Sequence, residues 1–263
     1  MARLKRQVLI TGAGSGIGRD TALRLAKRGH TVYASTHTEE QATAWKSLGT
    51  PGVEAFKLDI TDCSDRLRAA GLPIDVLINN AAVGQSGSLA EVPIERVRAA
   101  FETNLLATLT LTQMVLADMI ERRQGSVIFI SSLVGRVPAP FLMPYAMTKF
   151  ALSAAADALR QELAELDCGV HVCVVEPGAY HTGFNQKMVA TKYEWMRERS
   201  YFRSKIPVLK TREERQFALL ELNSTRSIVR RIVKATEAKH PRLRYSAPWW
   251  QALGVRLLRI AGR

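Results

Sequence analysis

The sequence predicts one α/β domain: a doubly wound parallel sheet of about seven strands, helices on both faces, and a helical lid towards the C-terminus. Three observations predict it. Short apolar runs rich in β-branched residues alternate with helical segments from residue 7 to residue 175, and that alternation requires right-handed crossovers between parallel strands. A glycine-rich turn follows the first apolar run directly. No internal repeat, low-complexity tract or linker divides the 263 residues, of which 47% are apolar, enough for one large core.

Each element has its own justification. Residues 7–11 (QVLIT) suit a strand buried on both faces. The glycine turn leads into a helix over residues 17–28, ending at Gly29 as a C-cap would. Residues 30–35 (HTVYAS) read as the second strand, 38–48 as a helix, and 53–58 as the third strand, closing on Asp59. A short helix around 62–70 precedes the fourth strand, 74–79 (IDVLIN). Residues 94–122 carry one long helix or two in succession. The fifth strand is 126–131 (SVIFIS), a helix covers 144–166, and the sixth strand is 170–175 (VHVCVV). A last strand is expected around 243–246. Residues 183–240 are helical and amphipathic but break the alternation, so they read as a lid over a substrate cleft.

The net charge of +13 is unevenly placed. Residues 1–182 hold 18 basic and 18 acidic side chains; residues 183–263 hold 19 Lys and Arg against 6 Asp and Glu, which is the whole +13. Such asymmetry points to an anionic partner: a membrane, a phosphate-bearing substrate carrier or nucleic acid. Aromatic residues are not interleaved with the charge as an RNA-binding surface would require, so nucleic acid is not expected. No run of eighteen apolar residues appears, and residues 1–6 lack the apolar core of a signal peptide. Cys63, Cys168 and Cys173 are scattered, as free thiols of a reducing cytoplasm would be, and no His/Cys/Asp set has metal spacing, so no metal is expected. The tail, residues 249–263, has the pattern of a basic amphipathic helix. Trp250, Leu253, Leu257, Leu258 and Ala261 share one face and Arg256, Arg259 and Arg263 line another, suiting peripheral contact with an anionic membrane, with packing on the lid or on a partner subunit as the alternative.

Tyr145 and Lys149 stand one helical turn apart, and Ser132 precedes the tyrosine by thirteen residues. Reducing a ketone requires a proton for the developing alkoxide; oxidising an alcohol requires a base. A free tyrosine has a pKa of about 10, too high for that base near neutrality. A lysine at i+4 lies on the same helix face, where its ammonium favours the phenolate. A serine hydroxyl beside them would orient the substrate oxygen.

The turn Thr11-Gly12-Ala13-Gly14-Ser15-Gly16-Ile17-Gly18 lies between a strand and a helix, the context in which glycines admit a pyrophosphate to a helix N-terminus. With Asn79-Asn80-Ala81-Ala82 after the fourth strand, Asn104 in the long helix, the Ser132/Tyr145/Lys149 set and Pro177-Gly178-Ala179-Tyr180-His181-Thr182, the chain resembles the short-chain dehydrogenase/reductase family, single-domain branch, over most of residues 7–182. The last strand, Arg242-Leu243-Arg244-Tyr245, leans the likeness towards steroid- and retinol-dehydrogenase-like members.

That resemblance implies a Rossmann-type fold and a single oxidoreductase domain over residues 1–263. It implies NAD(P)(H)-dependent interconversion of a secondary alcohol and a ketone, with Asn104, Ser132, Tyr145 and Lys149 catalytic. It places the dinucleotide against Gly12, Ser15, Gly16, Ile17, Gly18, Thr36, His37, Asp59, Ile60, Asn80, Ala81, Tyr145, Lys149, Pro177, Gly178 and Thr182. Asn104 would hold a proton-relay water, and Thr182 the nicotinamide amide. The two long helices would pair across a two-fold axis in a homodimer or homotetramer. Two departures matter: the helix between Asp59 and Asn79 is short, and Thr36 and His37 stand where the family has Asp for NAD or Arg for NADP. Without that carboxylate nothing repels a 2′-phosphate, and His37 or Arg19 could bind it, which favours NADP(H). The lid and the Phe141-Leu142-Met143 loop favour a lipophilic substrate, steroid-, retinoid- or acyl-like. The other readings are a 3-ketoacyl thioester reductase and a non-catalytic nucleotide-sensing or RNA-binding relative.

Overall fold

A computed structural model describes residues 5–262, apart from the side chains of residues 197–199. Residues 1–4 of the basic N-terminal run, and Arg263 of the expected tail, lie outside the described residues. Seven parallel strands form one sheet: β1 (Gln7–Ile10), β2 (Thr31–Thr36), β3 (Val53–Lys57), β4 (Val76–Asn79), β5 (Gly125–Ile130), β6 (Val170–Pro177) and β7 (Arg244–Ala247). Their order is β3-β2-β1-β4-β5-β6-β7. The winding reverses between β1 and β4, and a ligand crevice opens at the carboxyl ends of strands at such a point.

Side chains alternate along each strand, so the sheet feeds two cores. Val8 and Ile10 of β1 join Val76, Ile78, Ile128 and Val175 on one face; Leu9 joins Leu77, Phe129 and Val174 on the other. Helices α1 (Gly16–Ala26) and α2 (Glu39–Ser47) cover the first face. The second is covered by α3 (Cys63–Ala70), by α5 (Thr108–Glu121), which follows α4 (Ile94–Phe101), and by α6 (Met143–Glu165). Each fully buried Val, Leu or Ile side chain contributes about 1.5–3 kcal/mol relative to exposure.

The region 94–122 is one helix, with a π-helical stretch, Glu102–Ala107, joining α4 to α5. By length and apolar content Ile94–Glu121 is the one helix among the described residues that meets the requirement for crossing a membrane. Its Leu111, Val115, Leu116 and Met119 are instead buried in the second core, which explains the apolar composition.

Residues 183–240, expected as one lid, divide in two. Helices α7 (Phe184–Arg199) and α8 (Ile206–Leu220) form a separate apolar cluster through Val189, Tyr193, Met196 and Leu209, against which Phe141 and Leu142 pack. Helix α9 (Arg226–Glu237) belongs to the body: Ile228, Val229, Ile232 and Val233 are buried in the first core. Pairs at i, i+1, i+4 and i+5 make one broad apolar stripe, and a stripe that wide is buried on a sheet. The last helix, α10 (Trp249–Ile260), has no buried residue.

Candidate active site

Five elements deliver the expected residues to the carboxyl edge of the sheet. The β1–α1 turn brings the glycines, the end of β4 brings Asn80 and Ala81, and the π-helical stretch brings Asn104. The end of β5 brings Ser132; α6 brings Tyr145 and Lys149.

The glycine turn is built for close approach. Gly12 has φ of 68°, and a Cβ there would stand 2.8 Å from the Cα of Ala81. A Cβ on Gly18 would stand 2.5 Å from Asn80 Nδ2. Asn80 donates that amide to the carbonyls of Thr11 and Gly12 at 2.9 and 3.0 Å. The N–H groups of Asn80 and Ala81 both donate to Thr11 Oγ1 at 2.9 Å. The two turns are thereby locked together, so Asn80 shapes the crevice with its side chain already committed. Ser15 occupies the N-cap of α1 with extended backbone and makes no side-chain cap bond, which leaves the first amides of α1, at Ile17 and Gly18, for an anion. These features fit a dinucleotide pyrophosphate. Across the crevice, a Cβ on Gly16 would meet Thr182 at 3.1 Å, and a cleft of about 470 Å³ runs past Gly16, Asp20, Thr182 and Thr225.

At the other end of the crevice the structure separates two residues that the sequence treated alike. Thr36 is fully buried, and its hydroxyl donates to the carbonyls of Thr38 and Phe56 at 3.0 and 3.3 Å. It has no side-chain surface to offer a ribose, because it sits inside β2 rather than beyond its end. His37 is exposed. Burial works against the ionised form of Asp59, but hydrogen bonds from the Thr61 hydroxyl and amide, with the His37 charge nearby, hold its carboxyl below the ordinary value. The Ile60 side chain lies in the second core, so only its backbone can face a ligand. Arg19 lies over Trp45, 5.8 Å from the ring, and Trp45 in turn donates to the Ala13 carbonyl at 2.9 Å.

Around Tyr145 the side chains are buried and mutually held. Its hydroxyl has no hydrogen-bond partner among the described residues, and burial raises its pKa. Burial also lowers the Lys149 ammonium to about 8. Lys149 Nζ lies 5.5 Å from the Tyr145 ring centre and donates to the Ile130 carbonyl at 2.9 Å. Asn104 donates to the Val83 carbonyl at 2.9 Å and to Thr148 Oγ1 at 3.1 Å, and its Oδ1 accepts from the Val83 N–H at 2.8 Å. Thr148 Oγ1 donates to the Tyr145 carbonyl at 2.7 Å. Ser132 is held loosely: its hydroxyl donates to the Pro177 carbonyl at 3.4 Å and accepts from the Val134 N–H at 3.3 Å. The ring of Phe184, the first residue of α7, lies 5.6 Å from that of Tyr145.

Several site-shaping residues escaped the sequence reading. Thr11, Thr148 and Ser131 act through hydrogen bonds that only folding creates; Ser131 donates to the Lys149 carbonyl at 3.0 Å. Glu176 is wholly buried and accepts from Arg244 and Ser246 at 2.8 Å each and from Arg136 at 3.4 Å, fastening the Ser132 turn to β6 and β7. Its place before Pro177-Gly178 was the one available signal. Phe141, with φ of 64°, is strained for a bulky residue. Its ring meets Phe202 edge-on at 5.1 Å, so the loop before Tyr145 is tied to the lid.

Residues 6–193 match the short chain dehydrogenase family. A probable short-chain type dehydrogenase/reductase of Helicobacter pylori, VdlC, is 37% identical over 177 residues, 65% of this chain and 63% of that protein. Human retinol dehydrogenase 8 is 34% identical over 203 residues, 72% of this chain and 64% of that protein. The chain thus spans somewhat under two thirds of the length of these relatives. A short-chain dehydrogenase from Streptomyces avermitilis superposes with a TM-score of 0.81 at 26% identity, covering 99% of this chain and 94% of that one. With the glycine crevice, the Ser132, Tyr145 and Lys149 junction and the parallel sheet that carries them, these matches make the chain a member of the short-chain dehydrogenase/reductase family.

Proposed function

We propose that this protein is an NADP(H)-dependent oxidoreductase that interconverts a secondary alcohol and a ketone on a lipophilic substrate. The observation that carries the reading is the meeting of a buried phenol and a buried ammonium, Tyr145 and Lys149, beside a crevice shaped for a pyrophosphate. A nicotinamide bound in the crevice would supply or accept the hydride. Ser132, held by two long hydrogen bonds, turns to hold the substrate oxygen. Tyr145 gives its proton to the alkoxide in reduction and takes the hydroxyl proton in oxidation. Burial alone opposes both a phenolate and an ammonium here; formed together they stabilise each other, so Lys149 lowers the cost of ionising Tyr145. Both ends of the Asn104 side chain are committed, so a relay water belongs at the backbone of the π-helical stretch.

Support for a lipophilic substrate comes from Phe184 against Tyr145 and from the apolar lid cluster with Phe141 and Leu142. Retinol dehydrogenase 8 among the relatives agrees with it. The test is NADPH- and NADH-linked turnover on steroids, retinoids, acyl thioesters and small ketones. Turnover confined to small polar ketones would sink the lipophilic reading, and turnover confined to acyl thioesters would favour a 3-ketoacyl thioester reductase.

The cofactor reading rests on His37 and Arg19, since no carboxylate ends β2. His37→Asp is expected to shift the NADH to NADPH preference towards NADH by about tenfold or more, equivalent to about 1.4 kcal/mol or more. The structure makes position 37 the test rather than 36, where a carboxylate would be buried. An unchanged ratio of kcat/KM for the two cofactors would refute the assignment.

A homodimer or homotetramer is also part of this reading. Phe150, Ala154 and Ala158 form an exposed stripe on α6, and Leu106, Gln113 and Ala117 are exposed along the adjoining long helix. Small residues allow helices of two copies to approach closely. Ala154→Arg is expected to convert the oligomer to monomer in light scattering, and a wild-type protein already monomeric at micromolar concentration would count against the interface.

A further inference from the structure

Among the described residues the largest group of exposed large apolar side chains lies on one element, α10. Trp249 is 70% exposed and Ile260 74%, and Trp250, Leu253, Leu257 and Leu258 are exposed as well. At about 100° per residue, Trp249, Ile260, Leu253, Leu257 and Trp250 fall within an arc of about 100°. Gln251, Ala252 and Val255, the half-buried residues, occupy the opposite flank and meet the body of the protein. Exposed Arg256 lies on one border of the apolar arc, and exposed Arg259 lies further round, on the flank of Ala252 and Val255. After Glu237 the sequence contains no acidic residue, while Lys239, Arg242, Arg244, Arg256, Arg259 and Arg263 follow.

We infer that α10 is the docking surface by which this protein lies on an anionic lipid bilayer. A twelve-residue helix is about 18 Å long, too short to span the hydrocarbon and suited to lying in its interface. Tryptophans sit well at headgroup depth, Arg256 at the border of the apolar arc reaches lipid phosphates while its stem stays on the apolar side, and the longer reach from Arg259 adds positive charge beside it. A second copy of the chain fits this face less well. Two such faces would set arginine near arginine with no carboxylate on the helix to neutralise them, whereas an anionic headgroup supplies the opposite charge.

The helix is also wired to the crevice. Gln251 Nε2 donates to the Leu220 carbonyl at 2.7 Å, and Gln251 Oε1 accepts from the Ala179 N–H at 2.8 Å. One side chain therefore joins α10 both to the end of lid helix α8 and to the loop of Pro177, Gly178 and Thr182. The exposed Leu219 and Leu220 extend the apolar surface there. Docking on α10 sets the lid end and the crevice against the membrane, where a lipophilic substrate is concentrated. The docking itself stands without the catalytic reading, and vesicle binding is measured without turnover.

The experiment is co-sedimentation of the full chain with phosphatidylcholine vesicles and with vesicles containing phosphatidylserine, read alongside tryptophan emission. Wild type is expected to bind the anionic vesicles with blue-shifted emission, less at high salt. Arg256→Gln with Arg259→Gln is expected to weaken binding about 25-fold, roughly fivefold for each arginine. Leu257→Glu, at an exposed position, is expected to abolish binding while the circular dichroism and melting temperature stay those of wild type. Absence of wild-type binding to anionic vesicles overturns the inference. So does binding unaffected by these substitutions, or a Leu257→Glu variant that changes oligomeric state where wild type binds no vesicle, which would give the face to a second copy.

Discussion

Tyr145→Phe is expected to lose turnover by about 10²–10⁴-fold, the range that a positioned acid–base group contributes. The structure makes this a clean substitution. The ring is buried against Phe184, and the hydroxyl has no hydrogen-bond partner among the described residues, so Phe keeps the packing and leaves no protein group unsatisfied. The melting temperature and the dissociation constant for NADPH are expected to change little. Steady-state kinetics and equilibrium titration of the cofactor separate these effects. Activity within tenfold of wild type would remove Tyr145 from the mechanism, and a catalytically idle relative would show no turnover to lose.

Lys149→Met is expected to lower turnover by about 10²-fold, with an opposite signature in stability. Burial lowers the ammonium from its ordinary value of 10.5 to about 8. Between those two values the unfolded chain binds the proton more readily than the folded one. Folded stability of the wild type therefore rises as pH climbs from about 8 to 10.5, and below about 8 the full burial cost is present. Methionine has no proton to bind, so the variant lacks that rise. The difference in unfolding free energy between the two proteins is expected to move by about 3 kcal/mol across the window, in favour of the wild type at high pH. Urea unfolding at several pH values checks it. Parallel pH profiles for the two proteins would mean that Lys149 is solvated rather than buried beside Tyr145.

These two expectations draw unequally on sequence and structure. Spacing alone put Tyr145 and Lys149 on one face of a helix, because i and i+4 are neighbours whatever surrounds them. Nothing local says that both are buried, that Lys149 reaches the Ile130 carbonyl, or that Thr148 links Tyr145 to Asn104. Those facts come from β5, α6 and the π-helical stretch converging from distant parts of the chain.

The same division runs through the molecule. The amino-acid order by itself determined the alternating strands and helices, the glycine turn between β1 and α1, and the amphipathic tail. Each of these is written in periods of two or 3.6 residues or in a residue type that a turn requires. Tertiary structure alone decided where amphipathic helices would lie. Helices α8 and α9 both carry charge and apolar residues, yet α9 is buried on the sheet through Ile228 and Ile232, while α8 belongs to the lid. It alone decided that Thr36 turns inward and His37 outward at the end of β2, and that Glu176 is clasped by Arg136 and Arg244. The physical reason is one of range: periodicity reports which face of an element is apolar, whereas the surface that covers that face is supplied by residues far away in the chain.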